Sequence, residues 1–385
     1  MNTIKVPHVC IITTMHPPDD KRVTHRVGKS LVENGIRTSW VGPGQSTPLN
    51  DFGIEFHLFS RKNSLKGRLQ HIRDLKRIAG TLEDVDYYYA VDPDSAYVGL
   101  QLAKKTRAKT IYDIHERYHD DVIRNRIPEF LFGISSASLR YLISRIIRKT
   151  DIIIGVGESV LAPYRKAMTN PLIIRHCFPK AFYRDRQEDP GNGMIRIMHG
   201  ISTIDRGSLD ILETVSCLDE NIKDKTRVIF IFPGGQDAKH HDNTREVFSR
   251  IDELSLRENI VIHDYMPYHE MIDLVTSCNI GLITYKKRLG ENSMPNRFFE
   301  YLALGVPMII PSFSRELVEL NKKYNVALVV DTENPKDFSR AIEKLVTEDK
   351  LIRELRENGK RAFLDDLNWE KEFQPLIDRI KSADP

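Results

Sequence analysis

The chain predicts an α/β protein built as two doubly wound parallel-sheet domains, and three observations predict it. Short apolar segments alternate with amphipathic helical stretches throughout, the pattern of layered α/β structure and not of a meander. These segments fall into two series separated by a polar Pro/Gly stretch at 181–194, which has nothing to bury and reads as a linker. A length of 385 residues, 41% hydrophobic and 29% charged, is enough to bury two cores.

The first series, assigned to a domain at 1–180, opens with a strand at 9–14. It continues through 38–41, 87–91, 110–113 and 152–156, and closes near 173–174. The second, at 195–365, runs through 195–198, 228–232, 260–262, 280–283, 308–310 and 327–330. After Thr347 the helical patterns break near 364–368. Residues 366–385 are expected to form a final amphipathic helix beginning at Trp369. In open α/β sheets ligands sit beyond the carboxyl ends of the strands, so the loops that leave those ends are where chemistry is expected.

Composition narrows the function. The formal charge is 57 minus 54, or +3, too small to imply a polyanion, so no nucleic-acid partner is expected. Cys10, Cys177, Cys217 and Cys278 show no CxxC spacing and read as reduced structural residues, which fits the cytoplasm. No charged-then-apolar leader opens the sequence, and no apolar run approaches the roughly 18 residues of a spanning helix, so a soluble or membrane-surface protein is expected. Residues 139–149 mix Leu139, Leu142, Ile143, Ile146 and Ile147 with Arg140, Arg145, Arg148 and Lys149. A solvated basic face is the first reading, and peripheral docking on an anionic membrane the second.

The most informative run is 292–307. Asn292, Ser293 and Met294 form a loop that breaks into a short helix with Pro295 expected at its first position, followed by Asn296, Arg297 and Glu300 and ended by Gly305. Free N–H groups and the helix dipole favour a phosphate there, and Glu300 lies one turn behind. After the first strand comes the polar, proline-rich loop 15–26, with His16, Asp19, Asp20 and Lys21 suited to substrate contact. The strand at 110–113 ends in His115-Glu116-Arg117, the best acid/base or acceptor-orienting cluster in the chain. A metal reading through His115, Glu116 and His119 is weighed and not taken, so no metal and no cofactor is expected. In the second half, Gly200 and Arg206 lie on a strand-to-helix turn where the guanidinium fork suits a diphosphate. Gly234 and Gly235 form a turn that lets backbone approach a ligand, and Tyr265 follows another strand as a wall for a planar base.

Taken together, His16-Pro17-Pro18-Asp19-Asp20, Tyr112-Asp113-Ile114-His115-Glu116, Gly200 with Arg206-Gly207, and Pro295-Asn296-Arg297-Phe298-Phe299-Glu300-Tyr301 resemble the GT-B glycosyltransferases of the family 4 type over nearly the whole chain. The resemblance implies two Rossmann-like domains facing across a cleft, with the C-terminal helix returning to the N-terminal domain. It implies metal-independent transfer of a sugar from a UDP- or GDP-linked donor to an acceptor hydroxyl with retention. The acceptor would be a glycan, a lipid-linked or a small molecule, and the setting cell-surface polysaccharide or glycoconjugate synthesis. It would place Glu300 on the ribose, Arg206 on the diphosphate, the backbone of 293–296 on phosphate or sugar, and His115 near donor sugar and acceptor.

Two positions depart from that pattern. A second glutamate eight residues before Glu300 is replaced by Asn292, and an arginine after Gly200 is replaced by Ile201. A charge-assisted hydrogen bond is worth about 1.5–3 kcal/mol, so another cation has to substitute; Arg297, Lys286, Lys287 and Arg288 are the candidates. Two alternatives stay open: a nucleotide-sugar epimerase of GT-B-like architecture, and a noncatalytic nucleotide- or sugar-binding protein.

Overall fold

The computed structural model describes residues 5–62, 64–118, 128–184, 193–240 and 242–382. The chain divides into two compact units, Met1–Arg175 with Trp369–Pro385, and His176–Asn368.

The first unit holds a seven-stranded sheet: β1 (His8–Ile12), β2 (Arg37–Pro43), β3 (Glu55–Phe59), β4 (Tyr87–Ala90), β5 (Lys109–Ile114), β6 (Ile152–Gly155) and β7 (Leu172–Ile173). Its order is β3-β2-β1-β4-β5-β6-β7, parallel throughout. Strands β1, β4 and β6 are buried along their whole length, which is why they read as apolar runs without alternation. The edge strand β3 escapes sequence reading because only Phe59 is fully buried and its apolar residues are diluted by Glu55 and His57.

The second unit is a six-stranded parallel sheet of β8 (Ile195–Ile201), β9 (Thr226–Ile231), β10 (Ile260–His263), β11 (Ile280–Leu282), β12 (Met308–Pro311) and β13 (Ala327–Val330), in the order β10-β9-β8-β11-β12-β13. In both sheets the order reverses beside the first strand, between β1 and β4 and between β8 and β11. Those reversals are the topological switch points where doubly wound sheets take ligands.

The linker expected at 181–194 starts too early, and the first unit ends at Arg175 instead of 180. Cys177 and Phe178 are buried in the second unit's core, Phe178 stacks on Tyr268, and the Arg184 N–H donates to the Ala303 carbonyl at 3.0 Å. Apolar side chains, not the polar composition that follows them, decide where this segment goes; residues 185–192 lie outside the described set. At the other end the second unit extends to Asn368, because Leu367 is buried in its core and the Asn368 amide donates to the Phe363 and Leu364 carbonyls.

The helix Trp369–Ser382 belongs to the first unit. Trp369, Phe373, Leu376, Ile377 and Ile380 are buried with Val9, Ile11 and Val23. The Trp369 indole N–H donates to Ser30 Oγ at 2.8 Å, and Glu372 accepts from the Arg175 backbone and guanidinium.

One further expectation is corrected. The helix Glu129–Ile147 is long and apolar enough, by length and composition, to cross a membrane. Gly133, Ser135, Ser136 and Ser138 interrupt its apolar run without adding charge, so the run looks shorter in the sequence than it is.

Candidate active site

In the second unit the expected donor residues gather at the carboxyl ends of β8, β9, β10 and β11. Gly200 sits at φ +83, a conformation that favours glycine, and the ladder with β9 shifts register between Met198 and Gly200. A Cβ on Gly200 would lie 3.3 Å from Arg297 Nη1. Replacing Gly200 with Ala is therefore expected to cost about 1–2 kcal/mol through the left-handed backbone and the contact with Arg297. Thermal melting checks this, and an unchanged melting temperature would count against it.

Arg297 belongs to the helix Asn296–Ala303. Its Nη1 donates to the His199 carbonyl, while its Nε and Nη2 are sealed from solvent without a hydrogen-bond partner. Tyr301, one turn further, anchors the helix beneath the sheet by donating toward the Met198 and Leu282 carbonyls at 3.3 and 3.4 Å. Pro295 is the N-cap and not the first helical residue: its ψ of 136 is extended, and helical geometry begins at Asn296. Gly305, at φ +63, closes the far end, where the Val306 N–H reaches back to the Tyr301 carbonyl. Met294 and Pro295 are buried, Ser293, Arg297 and Glu300 half-buried, and Asn292 and Asn296 exposed.

Arg206 and Arg297 meet over one ring. Their guanidinium carbons lie 5.8 and 5.6 Å from the centre of Tyr285, just beyond β11. Burial works to raise the Tyr285 phenol, and the charges of Arg297 and Arg206 outweigh it and bring it below its usual value. Neither arginine forms a side-chain ion pair among the described residues. The other candidate cations are committed or placed outward: Lys286 pairs with Asp210 at 2.7 Å, Arg288 with Asp205 at 3.5 Å, and Lys287 is exposed. Two like charges held against one ring repel each other, Glu300 offsets part of the charge at Arg297, and an anion placed between the two guanidinium groups would relieve the rest. Thr284 supports the group by donating to the Arg206 carbonyl at 2.8 Å. Sequence reasoning missed Tyr285, although its place directly after a buried strand was the available signal.

Gly234, Gly235 and Tyr265 form a second cluster on the same edge. Asp264 accepts from the Gly234 N–H at 2.8 Å and the Tyr265 N–H at 2.6 Å, which ties the end of β9 to the end of β10 and leaves the Tyr265 ring exposed.

In the first unit, the loop after β1 and the end of β5 come together. His16 and His115 pack edge to face with ring centres 5.0 Å apart. His16 Nδ1 lies 3.1 Å from Asp20, which also accepts the Arg22 and Val23 N–H groups and so caps the helical turn Val23–Gly28. Burial alone would raise the Asp20 carboxyl, but the hydrogen bonds from His16 and Val23 hold it at about 2. Burial alone would lower His16, and Asp20 raises it above the usual value. Asp19, Lys21 and Glu116 are exposed. Beneath them Asp113 is buried, bridged by Arg22 through Nε at 3.1 Å and Nη2 at 3.0 Å, and it accepts from the Tyr89 hydroxyl at 2.8 Å.

His115 is half-buried, with Nδ1 sealed and without a hydrogen-bond partner, and burial pushes it down to about 4 despite Asp113. It is neutral near pH 7, which suits orienting a hydroxyl better than carrying a proton. A histidine held below its unfolded value binds fewer protons folded than unfolded. Its contribution to stability is therefore complete above the unfolded pKa near 6.5 and is lost as pH falls toward 4. Between about pH 7.5 and about pH 5 the loss is about 2 kcal/mol. Urea unfolding of the wild type should show it and His115→Gln should lack it; equal losses in both would remove His115 as the cause.

Among the described residues no three His, Cys, Asp or Glu side chains come together as metal ligands, and His119 lies outside them.

Residues 203–362 match the family model for glycosyl transferases group 1. A comparison of the sequence with curated proteins returned no match. Solved structures match over the length of the chain. Anabaena HepE in complex with UDP is 11% identical with a TM-score of 0.73, covering 98% of this chain and 100% of that one. A glycosyltransferase from Rickettsia africae is 15% identical with a TM-score of 0.71, covering 99% and 100%. A sucrose-phosphate synthase from Thermosynechococcus elongatus is 13% identical with a TM-score of 0.71, covering 96% and 97%. At such identities the likeness is one of fold. The chain accordingly has the GT-B fold, and its residues 203–362 are similar to the group 1 glycosyl transferases.

Proposed function

We propose that this protein is a metal-independent, retaining hexosyltransferase that moves a sugar from a nucleotide diphosphate sugar to an acceptor hydroxyl. One observation carries the reading: Arg206 and Arg297 flank Tyr285 at the β8/β11 switch point, and among the described residues neither is in ion-pair contact with a carboxylate. A leaving nucleoside diphosphate supplies that negative charge, and preorganised cations stabilise it as it develops. Arg297 thereby takes the part of the arginine absent at Ile201. The amino end of the helix Asn296–Ala303 adds its dipole, Glu300 takes the ribose hydroxyls, and the backbone at Gly234 and Gly235 with Tyr265 borders the base.

The first unit takes the acceptor, through the loop carrying His16, Asp19 and Lys21, with His115 orienting a hydroxyl. Glu116 keeps a catalytic role in this reading. The acceptor hydroxyl attacks an oxocarbenium-like sugar on the side the diphosphate leaves. HepE has been crystallised with UDP and with UDP-glucose, which makes UDP-glucose the first donor to try. We place the enzyme in the cytoplasm, in cell-surface polysaccharide or glycoconjugate synthesis, with peripheral membrane contact through residues 139–149.

Thermal-shift titration with UDP, GDP, ADP and their sugars tests the reading, because a ligand that binds only the native state raises its melting temperature. One nucleotide series should stabilise the wild type, and Arg206→Ala should abolish the shift. No response to any nucleotide would end the proposal. Steady conversion of the donor to an isomer without acceptor would favour the epimerase, and tight binding without turnover on any acceptor the noncatalytic protein.

A further inference from the structure

His199 is the extra residue of the bulge in β8: Met198 stands opposite Ile229 and Gly200 opposite Phe230, with His199 between them. A bulge re-aims the side chain it carries, and here it lets one residue hold two elements. The His199 carbonyl accepts from Arg297 Nη1, on the helix Asn296–Ala303. Its imidazole is fully buried, packs on the Phe230 ring with centres 4.8 Å apart, and contacts two hydroxyls. Nε2 lies 2.9 Å from Ser208 Oγ, and Nδ1 lies 3.3 Å from Thr284 Oγ1.

Both hydroxyls hold the turn that presents Arg206. Ser208 donates to the Thr203 carbonyl and Thr284 to the Arg206 carbonyl, each at 2.8 Å, so the helical turn Ile204–Arg206 is tied down at both ends. Burial first, and then the charges of Arg297 and Arg206, push the imidazole well below its usual value, so it is neutral and carries one N–H. With the Ser208 hydrogen given to Thr203, that N–H sits on Nε2 and Ser208 Oγ accepts it. We propose that His199 is the positioning residue of the arginine pair: its ring braces the turn that presents Arg206 while its carbonyl holds Arg297, so one bulged residue sets how the two guanidinium groups stand over Tyr285. The inference rests on the reading of that pair as the diphosphate site, and it adds a buried residue that acts on the leaving group only through others.

Nucleotide release from UDP-, GDP- and ADP-glucose, with water as acceptor, is measured on the full chain in two backgrounds, wild type and Arg206→Ala. Misplacing a stabilising group by about 1 Å costs up to about 100-fold. His199→Leu should therefore lower kcat/KM about 10-fold in the wild-type background and less than about 2-fold further in Arg206→Ala, because the ring acts through Arg206. His199→Gln, whose amide can donate to Ser208 Oγ, should recover most of the loss. Thr284→Val removes the hydroxyl that holds the Arg206 carbonyl at nearly unchanged volume. It should reproduce the His199→Leu pattern, and it decides the matter should the His199→Leu chain fail to fold. A merely structural role would make these variants cost the same factor in both backgrounds and leave His199→Gln no better than His199→Leu. Either result would overturn the inference while leaving the arginine pair in place. A wild type that releases no nucleotide from any of the three donors would overturn the inference together with the reading it rests on.

Discussion

Arg206→Ala is expected to lower turnover about 100- to 1,000-fold while leaving the melting temperature of the unliganded protein almost unchanged, as removal of one preorganised charge-stabilising donor does elsewhere. Arg206 is half-buried and its guanidinium lies over the face of Tyr285, so truncation removes little packing. Arg297→Ala should match that loss of activity and add a loss of stability of about 1–3 kcal/mol. It leaves the His199 carbonyl without its donor and opens space under Gly200. Arg297→Lys keeps the charge but not the fork, and its turnover should fall between wild type and Arg297→Ala. Because both cations act on one leaving group, the double variant should lose less than the product of the single losses. Nucleotide release in the presence of donor, with acceptor or with water as acceptor, measures all four. Near-normal turnover by Arg206→Ala would remove it from the mechanism, and strict multiplicativity would mean that the two cations act on different groups.

Replacing Arg22 with Met is expected to destabilise the first unit by about 3–5 kcal/mol, the range for breaking a buried ion pair and leaving one charge behind. Arg22 and Asp113 are both buried, and the guanidinium also donates to the Ile174 carbonyl at 3.2 Å and lies 5.8 Å from the Trp369 ring. One side chain thereby joins the loop after β1, the end of β5, the segment after β7 and the C-terminal helix. Burial by itself would raise the Asp113 carboxyl, but Arg22 holds it below its usual value. Its contribution to stability is present above the unfolded carboxylate range and is lost as pH falls through the lowered folded value. Removing both charges, by Arg22→Met with Asp113→Leu, should recover part of the loss. Urea unfolding followed by a signal from the first unit tests this. A cost below about 1 kcal/mol for Arg22→Met would mean that water reaches Asp113 and the pair is not a keystone.

Most strands are legible in the sequence because each is a short apolar run buried in a parallel sheet, a property of neighbouring residues. The segment from Pro295 to Gly305 was legible for the same reason: proline, glycine and helical spacing act within a few positions, and the helix start was misplaced by one residue. The edge strand Glu55–Phe59 was not, since its half-buried face produces no run.

The candidate sites divide in the same way. Gly200, Arg206 and Arg297 were named from the sequence as residues suited to an anion. That Lys286 and Arg288 are in ion-pair contact with a carboxylate, while among the described residues Arg297 is not, follows from where Asp210 and Asp205 sit in the fold. Asp20 read as an acceptor contact, and the structure uses it to cap a helical turn and hold His16. Arg22 and Asp113 stand 91 residues apart, and nothing local to either predicts the other. By itself the sequence determined the alternation of elements, the turns and the residue types available for chemistry, because period and turn geometry act over a few bonds. The tertiary structure alone decided which charges are paired, which are buried and which face an open place, because those depend on packing between residues far apart in the chain.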